Sequence, residues 1–223
     1  MNTKLFAEAI GKFSLGVVLL AALLFWPAGT WAFRQGWLFL GILFIPMFGT
    51  GLVMMAKNPA LLRSRLDAKE KQKAQDLVVK LSGLMFLVGF IVAGLNFRFD
   101  WYVLPWGVSL GAAAAFLVAY LLYAEVLREN TWLSRTIEVQ ENQAVVDTGL
   151  YGIVRHPMYS VTLLLFLSMP LVLGSIQSFV IFLAYPLIIA QRIRHEEQFL
   201  EQELPGYREY KQKVKYRLIP FIW

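Results

Sequence analysis

Residues 158–190 read MYSVTLLLFLSMPLVLGSIQSFVIFLAYPLIIA, and no charged side chain interrupts them. A single helix of this length would extend about 50 Å, whereas the hydrocarbon core of a bilayer is about 30 Å thick. Pro170 and the pair Gly174-Ser175 lie near the middle of the stretch, where a helix kinks or ends. The stretch therefore predicts a helical hairpin in a membrane, with both of its ends at the same membrane face.

Apolar runs of similar character fill the first half of the chain. Hydrophobic residues make up 58% of the sequence and charged residues 16%, well below the roughly 25% that is usual for soluble domains. Together with the hairpin, the runs predict an all-α integral membrane protein with about six helical segments. A cleaved signal peptide is the alternative for the first run, but its length and the later spans favour a retained helix. The predicted spans are Phe13–Phe33, Trp37–Ala56, Leu77–Phe97 and Val103–Val126.

The basic residues are distributed unevenly between the two predicted faces. Eighteen of the 21 Lys and Arg residues fall at the termini or in loops on one face. Basic loops remain in the cytoplasm, so the pattern predicts a multi-pass protein with both termini cytoplasmic. Cationic loops beside an anionic leaflet explain the net charge of +6 without a nucleic acid partner. The short chain and compact loops are typical of a bacterial protein, which indicates the inner membrane.

The first basic loop contains the signals of a short helix. Asn58 is suited to cap a helix that starts at Pro59. Leu62 and Leu66 against Arg63 and several lysines favour a helix that lies on the membrane surface, although a solvated basic connector fits the pattern equally well. The chain is interpreted as one continuous domain, with membrane spans in residues 1–126 and a C-terminal region, residues 127–223, that contains the hairpin and a polar end.

The chain has only two histidines, and they lie in polar clusters at opposite ends of the hairpin. His156 belongs to the cluster at residues 151–159 (YGIVRHPMY), and His195 belongs to the cluster at residues 192–197 (RIRHEE). The hairpin is expected to bring both clusters together at the predicted cytoplasmic face. Contact of the first cluster with lipid headgroups is the alternative. The absence of cysteine excludes disulfides, thiolate nucleophiles and cysteine-bound metals.

Polar side chains of these clusters are candidates for binding or catalysis. Arg192 and Glu196 are four residues apart and share a helical face, where they either clasp a ligand together or form an interfacial salt bridge. His156 and His195 with the adjacent glutamates are a poor metal site, because Pro157 follows His156 directly and no helical pair of histidines exists. No metal is therefore predicted.

The polar loop before the hairpin carries turn signals at residues 140–142 and 147–149, with a short extended run at residues 144–146. Backbone groups along such a loop can bind a nucleotide-like ligand. Tyr151 and Tyr159 offer flat surfaces for a base or a sugar. The loop is therefore a second part of the predicted site.

Several motifs of the C-terminal half occur together in a characteristic order. They are Asp147-Thr148-Gly149-Leu150-Tyr151, Arg155-His156-Pro157-Met158-Tyr159, the stretch Arg192 to Glu197, Tyr207 with Tyr210, and Ile219-Pro220. Over roughly residues 125–223 the sequence resembles the isoprenylcysteine carboxyl methyltransferase family and the related phospholipid N-methyltransferases. The segment Leu204-Pro205-Gly206-Tyr207 is one residue shorter than the common family form.

The resemblance implies a membrane enzyme that uses S-adenosylmethionine in a cytoplasm-facing pocket and methylates a lipophilic acceptor that arrives from the bilayer. Arg192 falls on the family's substrate-contacting arginine. The residues implied to bind the cofactor are Gln140, Gln143, Ala144, Val145, Val146, Tyr151, His156, Pro157, Met158, Tyr159 and Glu196.

The chemistry of the acceptor stays open at this point. A carboxylate acceptor needs no general base, whereas an amine or a thiol has to lose a proton, and Glu196, Glu197 or His195 could accept it. An NADPH-dependent sterol-type reductase is the alternative enzyme, because such reductases share the membrane architecture and a comparable C-terminal region. A non-enzymatic membrane protein is the third interpretation.

Overall fold

A computed structural model describes residues 3–57, 59–66, 73–133 and 139–223 of the chain. These residues form helices and loops without a β-strand, as the all-α prediction requires. A single 3₁₀ turn, Gly149–Gly152, precedes the hairpin. The α-helices of the described residues are α1 (Thr3–Ala28), α2 (Arg34–Lys57), α3 (Pro59–Leu66), α4 (Lys73–Phe99), α5 (Trp106–Glu129), α6 (Pro157–Val172), α7 (Ile176–Phe182), α8 (Ala184–Glu203) and α9 (Tyr207–Lys213).

Five helical stretches of the described residues are long and apolar enough to cross a membrane, and the shorter apolar helix α6 is a sixth segment. The protein is therefore a multi-pass helical membrane protein with the six segments that the sequence predicts. Four of the crossing stretches are α1, α2, α4 and α5, and the fifth joins α7 to α8. One end of the bundle carries Lys57, Arg128, Arg155 and Arg192, and is called the basic end below.

The predicted bounds of the first span are wrong at both ends. Helix α1 begins at Thr3 and ends at Ala28, five residues before Phe33. Gly29 has a φ of 66°, a left-handed conformation that ends the helix. The early start brings Lys12 into the helix, where its ammonium group pairs with Glu8 at 2.7 Å. Charged side chains are tolerated in that first part because they lie at the basic end rather than in hydrocarbon.

The apolar stretch 158–190 folds back on itself as predicted. Helix α6 ends at Val172, and Gly174 turns the chain with a φ of 70°. Ser175 then caps α7 by accepting a hydrogen bond from the Ser178 backbone N–H at 3.2 Å. The second half of the hairpin is divided into two helices at Leu183, because Pro186 of α8 has no N–H to donate to the carbonyl group four residues earlier.

Close helix contacts hold the bundle together. Helix α5 packs along α6, and α4 packs against α1 and α7. At Gly94 of α4 an added Cβ would lie 2.5 Å from the Leu24 carbonyl oxygen of α1, so a larger residue would force these two backbones apart. Small residues at such crossings are a common means of helix association in membranes.

The first basic loop contains the predicted short helix, which begins at Pro59 as expected. Leu62 is buried, and Lys12 of α1 donates a hydrogen bond to the Leu66 carbonyl oxygen at 3.0 Å. Helix α3 is therefore attached to α1 rather than solvated as a free connector. The predicted capping residue Asn58 lies outside the described residues.

Candidate active site

A buried carboxylate joins the two histidine clusters at the basic end. Glu197 of α8 is 2% exposed, and its Oε1 accepts a hydrogen bond from Arg155 Nε at 2.7 Å. His156 Nε2 lies 3.2 Å from the same oxygen, and a carboxylate can only accept, so this nitrogen carries the proton. Arg217 Nε donates to Glu197 Oε2 at 2.9 Å. The hairpin therefore brings the two clusters together as predicted, and Glu197 is the point where they meet.

The chain after α9 lies along the start of α6 and completes this junction. Arg155 Nη1 donates to the carbonyl oxygens of Val214 at 2.8 Å and Lys215 at 2.7 Å. The backbone N–H groups of Arg155 and His156 donate to the Tyr216 and Arg217 carbonyl oxygens, at 2.8 and 2.9 Å. Contact of Arg155 and His156 with lipid headgroups is thus wrong, since both side chains are buried inside the protein.

Glu196, the neighbour of the buried carboxylate, faces another set of partners. Its carboxylate accepts a hydrogen bond from the Tyr159 hydroxyl, and its Oε1 lies 3.8 Å from His156 Nδ1. Arg192 Nε donates to the same Tyr159 hydroxyl at 2.8 Å. Tyr159 therefore lies between the two residues that the sequence places on one helical face. Its ring also stacks on His156 with 5.7 Å between the ring centroids.

The loop before the hairpin is fixed by Glu129, the last residue of α5. Its carboxylate accepts hydrogen bonds from the Leu150 N–H at 3.0 Å and from the Thr148 hydroxyl at 3.1 Å. A Cβ on Gly149 would lie 1.9 Å from this carboxylate, and Gly149 also has a positive φ of 48°. Only glycine satisfies both conditions, which gives a physical reason for the glycine in the Asp147–Tyr151 motif.

Helix α9 is attached to the same loop. The Tyr210 hydroxyl donates to the Tyr151 carbonyl oxygen at 2.7 Å, and Lys213 pairs with Asp147 at 2.6 Å. Burial raises the pKa of the Tyr210 hydroxyl above its usual value, so this donor keeps its proton at neutral pH. The same effect raises the pKa of Tyr151 to about 12. The loop, α9 and the hairpin ends therefore form one connected unit.

A cavity of about 1740 Å³ opens beside this unit. Arg192 and nine of the eleven residues predicted to contact a cofactor line it. The two exceptions are Gln140, whose side-chain amide donates to the Trp132 carbonyl oxygen at 2.9 Å, and Pro157, which is buried at the first position of α6. The nine are Gln143, Ala144, Val145, Val146, Tyr151, His156, Met158, Tyr159 and Glu196. His195 does not line the cavity.

Tyr207 lines the same cavity, although the sequence motifs did not predict that it contacts a cofactor or an acceptor. The residue is 4% exposed, and its hydroxyl has no hydrogen-bond partner among the described residues. Burial and the nearby carboxylates of Glu197 and Glu196 raise the pKa of this hydroxyl, so it stays protonated. A buried donor without a partner is costly to a folded protein, and a bound ligand can satisfy it. Sequence spacing gave no signal for this role, because Tyr207 lies on α9, beyond the end of the hairpin.

Residues 103–205 match the family model described as phospholipid methyltransferase. Over these residues, a little under half of the chain, the sequence is similar to the phospholipid methyltransferase family. This family also includes isoprenylcysteine carboxyl methyltransferases, as the resemblance of the motifs implied. The match begins at the start of α5, before the predicted limit near residue 125, and it covers α6 to α8 with the loop between. The match to this family and the apolar helices together support a membrane methyltransferase.

Two curated proteins share part of the sequence. The chain is 31% identical over 133 residues to the cobalt-zinc-cadmium resistance protein CzcN of Cupriavidus metallidurans, which covers 57% of this chain and 58% of that protein. It is 29% identical over 91 residues to the Delta(14)-sterol reductase TM7SF2 of Mus musculus, which covers 40% of this chain and 22% of the reductase. The chain thus spans little more than half of one relative and about a fifth of the other.

Proposed function

We propose that this protein transfers a methyl group from S-adenosylmethionine to a lipophilic acceptor that reaches the site from the bilayer. The observation that supports it most directly is the cavity at the basic end. Polar residues of the family region, among them His156, Arg192 and Glu196, share this cavity with apolar side chains of α1, α2 and α5. One space can therefore receive a polar donor and an apolar acceptor side by side.

The residues present fit a nucleoside-containing cofactor. The hydroxyl of Tyr207, which has no partner among the described residues, can donate to a nitrogen or oxygen of the ligand, while the carboxylate of Glu196 can accept from its hydroxyl or ammonium groups. Residues 143–146, which form neither helix nor strand, line the same cavity and offer backbone groups, and the ring of Tyr151 offers a flat surface. We infer that His156 and Met158, which also line the cavity, contact the same ligand.

S-adenosylmethionine, when bound, supplies an electrophilic methyl group. The protein's own contribution is alignment and the exclusion of water, which together lower the barrier of such a displacement. Arg192 is proposed to orient the acceptor, and Tyr159 holds the Arg192 guanidinium in place through its hydroxyl. Glu197 is already occupied by Arg155, His156 and Arg217, so it is a poor candidate for a general base. An amine or thiol acceptor would depend on Glu196 instead.

An assay of methyl transfer to lipid tests the catalytic part of this function. Purified protein in nanodiscs is incubated with S-adenosylmethionine labelled in its methyl group and with a total bacterial lipid extract. We expect label in the organic phase that depends on the protein and that S-adenosylhomocysteine suppresses. Reduction of a sterol precursor by NADPH, with no transfer of label, would support the reductase instead.

Tyr207→Phe is expected to weaken binding of S-adenosylhomocysteine without weakening the fold. Its hydroxyl has no partner among the described residues, so the substitution removes no hydrogen bond that these residues make with one another. A lost hydrogen bond to a ligand costs about 0.5–1.5 kcal/mol, roughly a two- to tenfold rise in Kd by calorimetry. Tyr216→Phe, outside the cavity, is the control. Equal affinities of the two variants would remove Tyr207 from the cofactor site.

The basic end is proposed to face the cytoplasm of a bacterial inner membrane, because short basic loops remain on that side. The chain contains no cysteine, so an introduced one is unique. Cysteines at the exposed positions Glu141 and Lys215 should react with a membrane-impermeant maleimide only from the cytoplasmic side. A cysteine at the exposed Thr30, at the opposite end, should react only from outside. External labelling at Glu141→Cys would contradict this orientation.

A further inference from the structure

The cavity has an apolar arm that the residues assigned above do not use. This arm is bounded by Phe13 of α1, by residues 46–55 of α2 and by the face of α5 between Tyr120 and Leu127. Its walls come largely from α1 and α2, outside the family match at residues 103–205. The arm is continuous with the polar part around Arg192 and Glu196. A molecule with a polar head at Arg192 can therefore place its tail in the arm.

The length of the arm defines the length of tail that it accommodates. Residues 46–55 of α2 rise by about 14 Å, roughly half the thickness of the hydrocarbon core. Three bonds of an extended polypeptide span about 3.5 Å, so an extended carbon chain advances by about 1.2 Å per bond. The arm thus fits a single tail of roughly ten to twelve carbons. It lies within one leaflet of the bilayer.

Helix α3 covers the arm on the side of the basic end. Leu62 and Leu66 of this helix line the cavity, and Leu62 is 5% exposed. Lys12 fixes the end of α3 through its hydrogen bond to the Leu66 carbonyl oxygen, and Glu8 holds Lys12 in position. The cover is apolar on its cavity side, so it suits a hydrocarbon tail. A tail would therefore reach the arm from the bilayer rather than from water.

We propose that the arm binds one aliphatic or isoprenoid tail of the methyl acceptor and that Gly51 of α2 determines how long this tail can be. This proposal rests on the proposed function. Gly51 lines the arm, and a Cβ added there would have no atom within 4 Å, so a larger side chain would extend into free space. Gly51→Leu should therefore fill the arm without displacing the backbone. Gly111→Leu on α5 is the matched control, because its Cβ also meets open space but Gly111 does not line the cavity.

Photolabelling tests the proposal independently of catalysis. The probe is dodecanoic acid with a diazirine near its methyl end, added to the protein in nanodiscs, and peptide mass spectrometry locates the adducts. We expect adducts on residues 46–55 and 120–127, displaced by unlabelled dodecanoic acid but not by hexanoic acid, since each methylene adds to the apolar area buried. Gly51→Leu should reduce this labelling more than roughly tenfold, and Gly111→Leu should leave it unchanged.

The result that overturns the proposal is labelling spread over all lipid-facing helices, or labelling of the arm that persists in Gly51→Leu. A bilayer lipid as the sole occupant would give the first of these patterns. Titration of the same samples with S-adenosylhomocysteine separates the two proposals. Binding of S-adenosylhomocysteine without labelling of the arm refutes the tail proposal alone. Labelling of the arm without binding of S-adenosylhomocysteine refutes the proposed cofactor and leaves the tail site supported.

Discussion

Arg192→Lys is expected to reduce methyl transfer by about a hundredfold or more while affinity for S-adenosylhomocysteine stays within about twofold. The guanidinium is a planar fork that donates through Nε to the Tyr159 hydroxyl at 2.8 Å, and its fixed geometry suits the bidentate grip of an acceptor. Lysine places one ammonium group on a flexible stem and cannot hold both the tyrosine and an acceptor in the same geometry. A displacement of about 1 Å in such a site costs on the order of a hundredfold in rate.

Arg194→Lys is the matched control for this prediction. Arg194 lies on the same helix two residues later and is exposed, so its replacement should leave transfer and binding unchanged. If Arg192 only formed an ion pair at the membrane edge, lysine would replace it adequately. Near-normal transfer by Arg192→Lys would therefore contradict the orienting role, whereas loss of both transfer and binding would place Arg192 in the cofactor site.

Glu197→Gln is expected to lower the free energy of unfolding by about 3–5 kcal/mol. The variant leaves Arg155 buried without its carboxylate, and removal of one member of a buried charge pair is destabilising by this amount. The loss extends to the C-terminal segment, because Arg155 and Arg217 link that segment to α8. Unfolding in mixed micelles, followed by tryptophan fluorescence, measures the effect.

Glu201→Gln serves as the comparison for Glu197→Gln. Glu201 is one turn further along α8 and pairs with Lys211, but its side chain is 31% exposed. Pairs of this kind contribute about 0–1 kcal/mol, so the variant should unfold close to wild type. Equal destabilisation by both substitutions would show that Glu197 is not the central contact of the basic end.

The spans and the hairpin were predictable because hydrophobicity is a local property of the sequence. Residues 158–190 have no charged side chain and carry a proline and a glycine near the middle, and the structure turns at Gly174. The start of the first helix, at the basic end, was less predictable. The charged residues Lys4, Glu8 and Lys12 precede the apolar run but still belong to α1, and Lys12 pairs there with Glu8.

The network around Glu197 could not be derived from helical spacing. Spacing within one helix places Arg192 and Glu196 on the same face, but Arg155 is 42 residues from Glu197 and Arg217 is 20 residues from it. Such contacts exist only after the hairpin and the C-terminal segment have packed together. The role of Tyr159 between Arg192 and Glu196 has the same origin, since it joins α6 to α8.

Titration of the purified protein with S-adenosylhomocysteine and, separately, with NADPH tests the central claim most directly. The account predicts saturable binding of S-adenosylhomocysteine that Tyr207→Phe weakens, and it predicts no saturable binding of NADPH. Saturable binding of NADPH without binding of S-adenosylhomocysteine would contradict the methyltransferase and assign the cavity to a reductase.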